Sequence, residues 1–307
     1  MGTIAIMPSL NLLGVPISVG SYSVGQEQAP RALREGGLVE ALKNAGNDVH
    51  DVGDLTMRMW TPDRERRFAQ NLPNVVESVR ELASAVPPLL EDGDRLLVLG
   101  GNCTIALGVC AGLRGAGIEP SLVYVDRHFD LNTPQSTTEG ALDWMGLAHA
   151  LALEGAATEL VDAFGYRPLL APSRISFLGV DANEGTEWER EQVQRMNLPV
   201  VSLKDLTAAP RIAAGVAVEA LPKGPFAVHV DVDVLDFIDA PIAENVNGRN
   251  VGPTVEQLGD TISELWRNPA CRALSVGELN PVHATADPAS LPRFIATLAR
   301  ALTPSRP

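Results

Sequence analysis

The 307-residue chain is predicted to fold as one α/β domain spanning 1–307, with three layers and helices on both faces of a mainly parallel central sheet. Three observations predict it. Short apolar runs alternate with longer helical patterns from end to end, and strands separated by helices pair in parallel. The runs are continuously apolar, as strands buried on both faces must be. No internal repeat, low-complexity segment or Pro/Gly-rich linker divides the chain.

The elements follow in order. NLLGVP (11–16) is the first strand candidate, and APRALREGGLVEALKNAG (29–46) is the first helical pattern. LPNVVESVRELASAVPPLLED (72–92) is the second helix, followed by strand RLLVLG (95–100) and helix TIALGVCAGLRGAG (104–117). SLVYVD (121–126), RISFLGV (174–180), LPVVSL (198–203) and FAVHVD (226–231) are further strands. Helix TVEQLGDTISELWRN (254–268), strand ALSVGEL (273–279) and helix ASLPRFIATLARALT (289–303) complete the chain. In such sheets ligands bind beyond the carboxyl ends of the strands. GNCT follows RLLVLG, DRHFD follows SLVYV, DVDVLD follows FAVHV and ELNP follows ALSVG. Carboxylates and a histidine therefore recur at one edge.

Composition narrows the function. With 24 basic and 38 acidic residues the formal charge is −14, and no basic run occurs. That argues against nucleic acid and against an anionic membrane surface, and favours a small or cationic ligand. Cys103, Cys110 and Cys271 have no framework spacing, which fits a reduced, cytoplasmic setting. The N-terminal segment has no basic region ahead of its apolar residues, and no 18-residue apolar run occurs. Neither a secretory signal nor a membrane span is expected.

The acidic strand ends carry the chemistry. In an extended YVDRHFD, alternation puts Asp126, His128 and Asp130 on one face and turns Arg127 and Phe129 away. The same period groups His229, Asp231 and Asp233 in HVDVD. A lone aspartate at a strand end usually caps a helix or opens a loop. Two alternating clusters are different, because so many carboxylates stay ionised together only when cations offset them. Oxygen donors plus one imidazole suit Mn or a related divalent ion, and a shared aspartate can bridge two ions.

GGNCT, DRHFD, HVDVDVLD and GELNP occur in the order and spacing of the arginase/agmatinase (ureohydrolase) family, which the chain resembles over nearly its whole length. LLGVPISVGSYSVGQEQAPRALREGGLVEAL looks like the family's N-terminal strand, loop and helix, and DLNTPQSTTEGAL resembles the substrate loop of arginases. The resemblance implies a dinuclear Mn site. Asp126 and Asp231 match its bridging aspartates, His128 and Asp233 match ligands of one ion, and Asp130 matches a ligand of the other. It implies that Glu278 pairs with a substrate guanidinium. Asn132 matches a residue holding an α-carboxylate, and Asp181 and Asn183 stand where arginases place acids near the substrate amino group. It further implies a homo-oligomer, a trimer or hexamer. The implied reaction is attack by a metal-bridging hydroxide on a guanidinium carbon, releasing urea and an amine, with Asp130 as a candidate proton relay.

Four positions depart from the family's pattern. Cys103 stands in place of a histidine ligand, and Asn102 in place of the preceding aspartate. Asp143 occupies the position of a histidine that arginases use in proton transfer. Glu139 replaces a serine that contacts the substrate carboxylate, and an acid there repels an α-carboxylate. Cys103 has three readings: an altered ligand favouring Zn, Fe or Ni, an unligated residue beside an empty or weakened second metal site, or a nucleophile. Cys110 reads as core, and His149 as structural. Arg127 reads as a salt-bridge or subunit contact, His229 as a metal-shell or second-layer residue, and Trp144 as pocket lining or packing.

Three functions follow. The first is a metal-dependent hydrolase of a guanidino or amidine compound. The second acts on an N-substituted guanidine such as hydroxyarginine, with Cys103, Glu139 and Asp143 adapted to it. The third is a family member that binds a small ligand without turnover, for which metal content is the discriminating measurement.

Overall fold

The computed structural model describes residues 8–245 and 249–304. Eight strands form one sheet: β1 (Leu10–Gly14), β2 (Val49–Asp54), β3 (Arg95–Leu99), β4 (Ser121–Val125), β5 (Ile175–Val180), β6 (Val200–Ser202), β7 (Phe226–Asp231) and β8 (Cys271–Gly277). Their order is β2-β1-β3-β8-β7-β4-β5-β6, and every neighbouring pair is parallel. Helices cover both faces, giving the expected three layers.

Strand alternation builds two cores. Leu97 and Leu99 of β3, Val123 and Val125 of β4, and Val228 and Val230 of β7 share one cluster. Leu96, Val98, Leu122, Tyr124 and Ala227 enter the other. Strands apolar on both faces are thus the sequence-level image of a sheet covered twice.

The seven apolar runs all become strands, and β2 is the addition. VHDVGD lies at the sheet edge with most of its residues exposed or half-buried, so it needs no apolar face. The pattern over 29–46 splits into Ala29–Glu35 and Leu38–Asn44, because Gly37 adopts φ 90° between them. The second helix ends at Ala85, and a 3-10 segment over Pro87–Gly93 follows at a proline pair that cannot continue the α-helix. Helices Glu187–Met196 and Pro210–Glu219 were not predicted. The first has three apolar residues in ten, Trp188, Val193 and Met196, and starts from a Thr186/Glu189 capping box, so a search for apolar stripes passes over it. No helix among the described residues is long and apolar enough to cross a membrane.

The topology positions the site. From β3 the chain crosses two strand positions to reach β4, and β8 and β7 later fill the gap. The four central strands therefore present consecutive carboxyl ends around one point, the place where open parallel sheets bind ligands.

Candidate metal centre and active site

The β3 arm depends on two glycines. Gly100 and Gly101 adopt φ 75° and 91°, and a Cβ on Gly101 would lie 2.7 Å from Ile17 Cγ1 and 2.8 Å from the Val15 carbonyl. Only glycine fits this turn. It brings Asn102 and Cys103 under the end of β8, where Gly101 accepts the Glu278 N–H at 2.9 Å and Cys103 N–H donates to Glu278 Oε1 at 2.8 Å. Asn102 is buried and accepts from Thr104 N (3.2 Å) and Thr104 Oγ1 (2.6 Å), so it shapes the turn rather than facing a ligand.

Beyond β4 and β7 the pleat stops, and turns take over. Asp126 Oδ1 accepts His128 N–H at 2.6 Å, and Asp130 sits at φ 52°, a left-handed conformation rarely adopted outside glycine. Asp231 Oδ1 accepts Asp233 N–H at 2.7 Å within a 3-10 turn. The expected convergence occurs, but Asp130 and Asp233 reach it through these turns and not through strand alternation. Glu278, one residue past β8, is also left-handed at φ 61°. Its Oε2 accepts from Gln26 Nε2.

Three sets of donor atoms lie within 4.8 Å of one another: Cys103 with Asp231 and Glu278, Cys103 with Asp126 and Asp130, and Asp126 with His128 and Asp233. Asp126 Oδ2 and Asp233 Oδ1 are buried carboxylate oxygens without a hydrogen-bond partner. Burial and neighbouring carboxylates push the pKa of Asp126 up to about 6 and raise Asp130, Asp231 and Glu278 well above the usual range. A divalent ion would offset that repulsion and occupy the orphaned lone pairs, so these residues fit one. Burial works against a charge on His128, but Asp233 at 3.1 Å and bonds to Asp126 and Glu184 raise its pKa well above the ordinary value. Burial, with Asp231, Glu278, Asp130 and Asp126 around it, raises the Cys103 pKa.

These groups line one cavity of about 450 Å³. Cys103, His128, Asp130, Asp231, Asp233 and Glu278 are in its wall. Tyr22, Glu139, Asp143, Trp144, Glu184 and Arg249 line it as well. Burial raises the Asp143 pKa to about 7, against bonds from Trp144 N–H and Ser21.

Of the residues singled out from the sequence, Cys103, His128, Asp130, Glu139, Asp143, Asp231, Asp233 and Glu278 line the cavity, and Asp126 joins them through the donor sets. Asn132 lies elsewhere: it is buried, with Oδ1 accepting from Thr186 Oγ1 (3.1 Å) and Ser136 Oγ (3.3 Å). Asp181 and Asn183 bond to each other in a local turn, Asn183 Nδ2 to Asp181 Oδ1 at 3.0 Å, outside the cavity lining. Arg127 is buried in an ion pair with Glu184 (3.0 Å) and donates to the Asp233 carbonyl (3.2 Å). His149 is structural, bonded to Met145 O (2.7 Å) and to Ala157 N–H (3.0 Å).

Sequence reasoning missed Glu184 and Arg249. Arg249 Nη2 lies 2.8 Å from Glu184 Oε2 and 3.3 Å from His128 Nε2. Burial opposes the Glu184 charge, yet His128, Arg127 and Arg249 bring its pKa down to about 2. Both residues come from loops, with no strand-end register to mark them.

Comparison with protein-family models matches residues 9–302 to the arginase family. Arginase from Brevibacillus brevis is 28% identical over 283 residues, covering 89% of this chain and 91% of that protein. Human arginase-1 is 27% identical over 281 residues, covering 89% and 85%. The crystal structure of arginase from Bacillus cereus superposes with a TM-score of 0.84 at 25% identity, covering 98% and 99%. Trypanosoma cruzi formiminoglutamase with Mn2+ shares the fold at 17% identity and a TM-score of 0.67. With the family match extending across both cores and all four central strand ends, the chain belongs to the arginase family.

Proposed function

We propose that the chain is a metal-dependent amidinohydrolase that cleaves a C–N bond of a guanidino or amidine compound, releasing urea or a urea derivative and an amine. One observation carries this reading: unpaired Asp126 and Asp233 oxygens share the site with Glu278, a buried carboxylate fixed by Cys103 N–H and Gln26. Asp126, His128, Asp130, Asp231 and Asp233 would hold the metal, with Mn2+ suiting their oxygen-rich set. When bound, the metal supplies Lewis acidity and lowers the pKa of coordinated water towards neutrality.

The chain's own groups do the rest. Glu278 pairs with the guanidinium and fixes the plane of its central carbon. The substrate enters as a cation, because acids outnumber bases in the cavity wall. Collapse of the tetrahedral adduct needs a proton on the leaving nitrogen. Asp130, which accepts the Tyr124 hydroxyl, is our candidate to pass one. Asp143, with a pKa near 7, suits exchange with solvent at working pH.

A narrower reading is favoured by Glu139 and Asp143 in the cavity wall. Two acids there suit a substrate whose remote end is neutral or cationic, such as an alkylguanidine without an α-carboxylate. The test is metal-loaded protein against arginine, hydroxyarginine, agmatine and simple alkylguanidines, with urea-type product and amine both identified. Release of neither from any of them would end the proposal. A fixed ratio of preferences after Glu139→Ser and Asp143→His would end the narrower reading.

A further inference from the structure

We infer that Cys103 is a direct metal ligand that makes the β3–β8 side of the site select a thiophilic divalent ion, and that His229 is the positioning residue built behind its sulfur. The inference rests on the reading of the cavity as a metal-dependent site. Cys103 Sγ belongs to two of the three donor sets, one with Asp126 and Asp130 and one with Asp231 and Glu278. In the first, Asp126 is fully buried and its Oδ2 has no partner. The sulfur thus sits between the two pairs of carboxylates, where a shared ion would reach it.

His229 occupies a seat made for an imidazole. Tyr124 on β4 and Ser275 on β8 are its register partners across β7. The Tyr124 ring stacks on it with centroids 5.0 Å apart, and Ser275 Oγ lies 2.8 Å from Nδ1. Gly277 leaves room for the ring, since a Cβ there would come within 2.9 Å of His229 Cε1. The result is Nε2 held 3.2 Å from Cys103 Sγ. Cys110 and Cys271 have no such surroundings; both are buried thiols outside every donor set among the described residues.

A thiol beside an imidazole also resembles a nucleophilic pair, but the electrostatics differ. Nucleophilic cysteines lie in electropositive surroundings, whereas Cys103 Sγ donates to Asp231 Oδ2 at 3.2 Å and faces further carboxylates. A metal dication offsets those charges. Ligation would release the Sγ proton to solvent, one per ion bound. With the His229 ring as its Nε2–H tautomer throughout, Nδ1 would accept from Ser275 O–H at 2.8 Å and Nε2–H would donate to the thiolate. Outer hydrogen bonds of this kind orient a ligand and tune its basicity. Thiolate ligands favour Zn, Fe or Co over Mn.

The test is titration of the full-length apoprotein with Co2+, read by absorption. Wild type is expected to show a near-ultraviolet thiolate-to-cobalt band that disappears in Cys103→Ser, with Cys110 and Cys271 left in place as internal controls. Cys103→His is expected to lower the Zn2+-to-Mn2+ preference in competition dialysis at least tenfold. His229→Gln is expected to weaken Co2+ binding roughly tenfold and to move the band. A wild-type Co2+ complex lacking the band overturns the ligand assignment, even if Cys103→Ser fails to fold. A band that persists in Cys103→Ser overturns it equally. Unchanged affinity and spectrum in His229→Gln overturn the positioning role. None of these readouts involves turnover, so a chain that fails the guanidine screen can still pass them, and the reverse.

Discussion

His128 lines the cavity and His229 lies behind Cys103, and the two have opposite surroundings. His128 is partly exposed and sits among Asp126, Asp233, Glu184 and Arg249, where charges set its protonation. His229 is fully buried against Tyr124, Ser275 and Cys103, and desolvation brings its pKa down to about 3. One imidazole sits in a web of ions, and the other is a neutral support behind a sulfur. The sulfur itself meets the carboxylates, with Cys103 Sγ 3.2 Å from Asp231 Oδ2, so only the outer partners of the two donor types are separate. His128 follows β4 and the sulfur follows β3, while β7 carries both Asp231 and the His229 behind the sulfur. The two sides should respond differently to the same kind of damage.

The largest effect is expected on the ionic side. Asp126 belongs to two donor sets, so Asp126→Asn should remove several kcal/mol of metal-dependent stabilisation, about 10³-fold in kcat. Metal content should fall in parallel, while far-ultraviolet circular dichroism is unchanged. Retained activity with retained metal would mean the ionic side is not the catalytic one. Glu278→Gln comes next, with roughly 10²-fold lost in kcat/KM for a guanidinium substrate, as for a charge-assisted bond of about 2–3 kcal/mol. Metal content should stay near wild type if Glu278 pairs with substrate. Loss of metal instead would place Glu278 among the ligands, as its proximity to Cys103 and Asp231 allows.

The difference between the two sides also explains what could be read in the sequence. The sheet, its buried strands and the acidic strand ends were legible because each leaves a local mark: an apolar run, then a polar residue at a fixed offset. Asp126, His128, Asp130, Asp231 and Asp233 are marked that way, and the family resemblance supplies their roles and that of Glu278. Glu184 and Arg249 were not legible. Glu184 follows β5 in a loop, and Arg249 returns from more than 120 residues beyond His128, so their meeting is purely tertiary. The resemblance points to Asp181 and Asn183, whereas Glu184 in the same loop reaches the cavity, because matching a motif says nothing of where a turn points. β2 and the polar helix Glu187–Met196 escaped for the same kind of reason: neither buries enough apolar surface to show a period.

A third histidine separates burial from site chemistry. His149 is as buried as His229 and has its pKa brought down to about 4 by desolvation, yet it bonds only to backbone, Met145 O and Ala157 N–H. The unfolded chain takes up a proton near pH 6.5 and the folded chain does not until about pH 4. Its contribution to stability is therefore complete above pH 6.5 and is lost as pH falls towards 4. Between pH 7 and 5 the loss should be about 2 kcal/mol, read from urea unfolding. In His149→Gln this slope should flatten by that amount, even though the variant starts less stable. An unchanged slope would mean that protonation of His149 does not contribute to acid stability.

The finest test pairs one change on each side. Glu184 holds Arg127 at 3.0 Å and Arg249 at 2.8 Å, and lies 3.4 Å from His128 Nε2. If it orients His128 by accepting from Nε2, Nδ1 is left free for the metal. Glu184→Gln removes the charge but keeps the shape, and Mn2+ affinity should fall about tenfold, the usual size of a lost outer-layer partner. Ser275→Ala removes the corresponding partner of His229 and should leave Mn2+ affinity near wild type while weakening Zn2+ or Co2+. Isothermal titration of both variants with Mn2+ and Zn2+ gives four affinities. Opposite selectivities would establish two separately supported sides. Equal losses for both ions in both variants would mean that the site behaves as a single unit, and that the contrast between its two histidines has no bearing on which metal it holds.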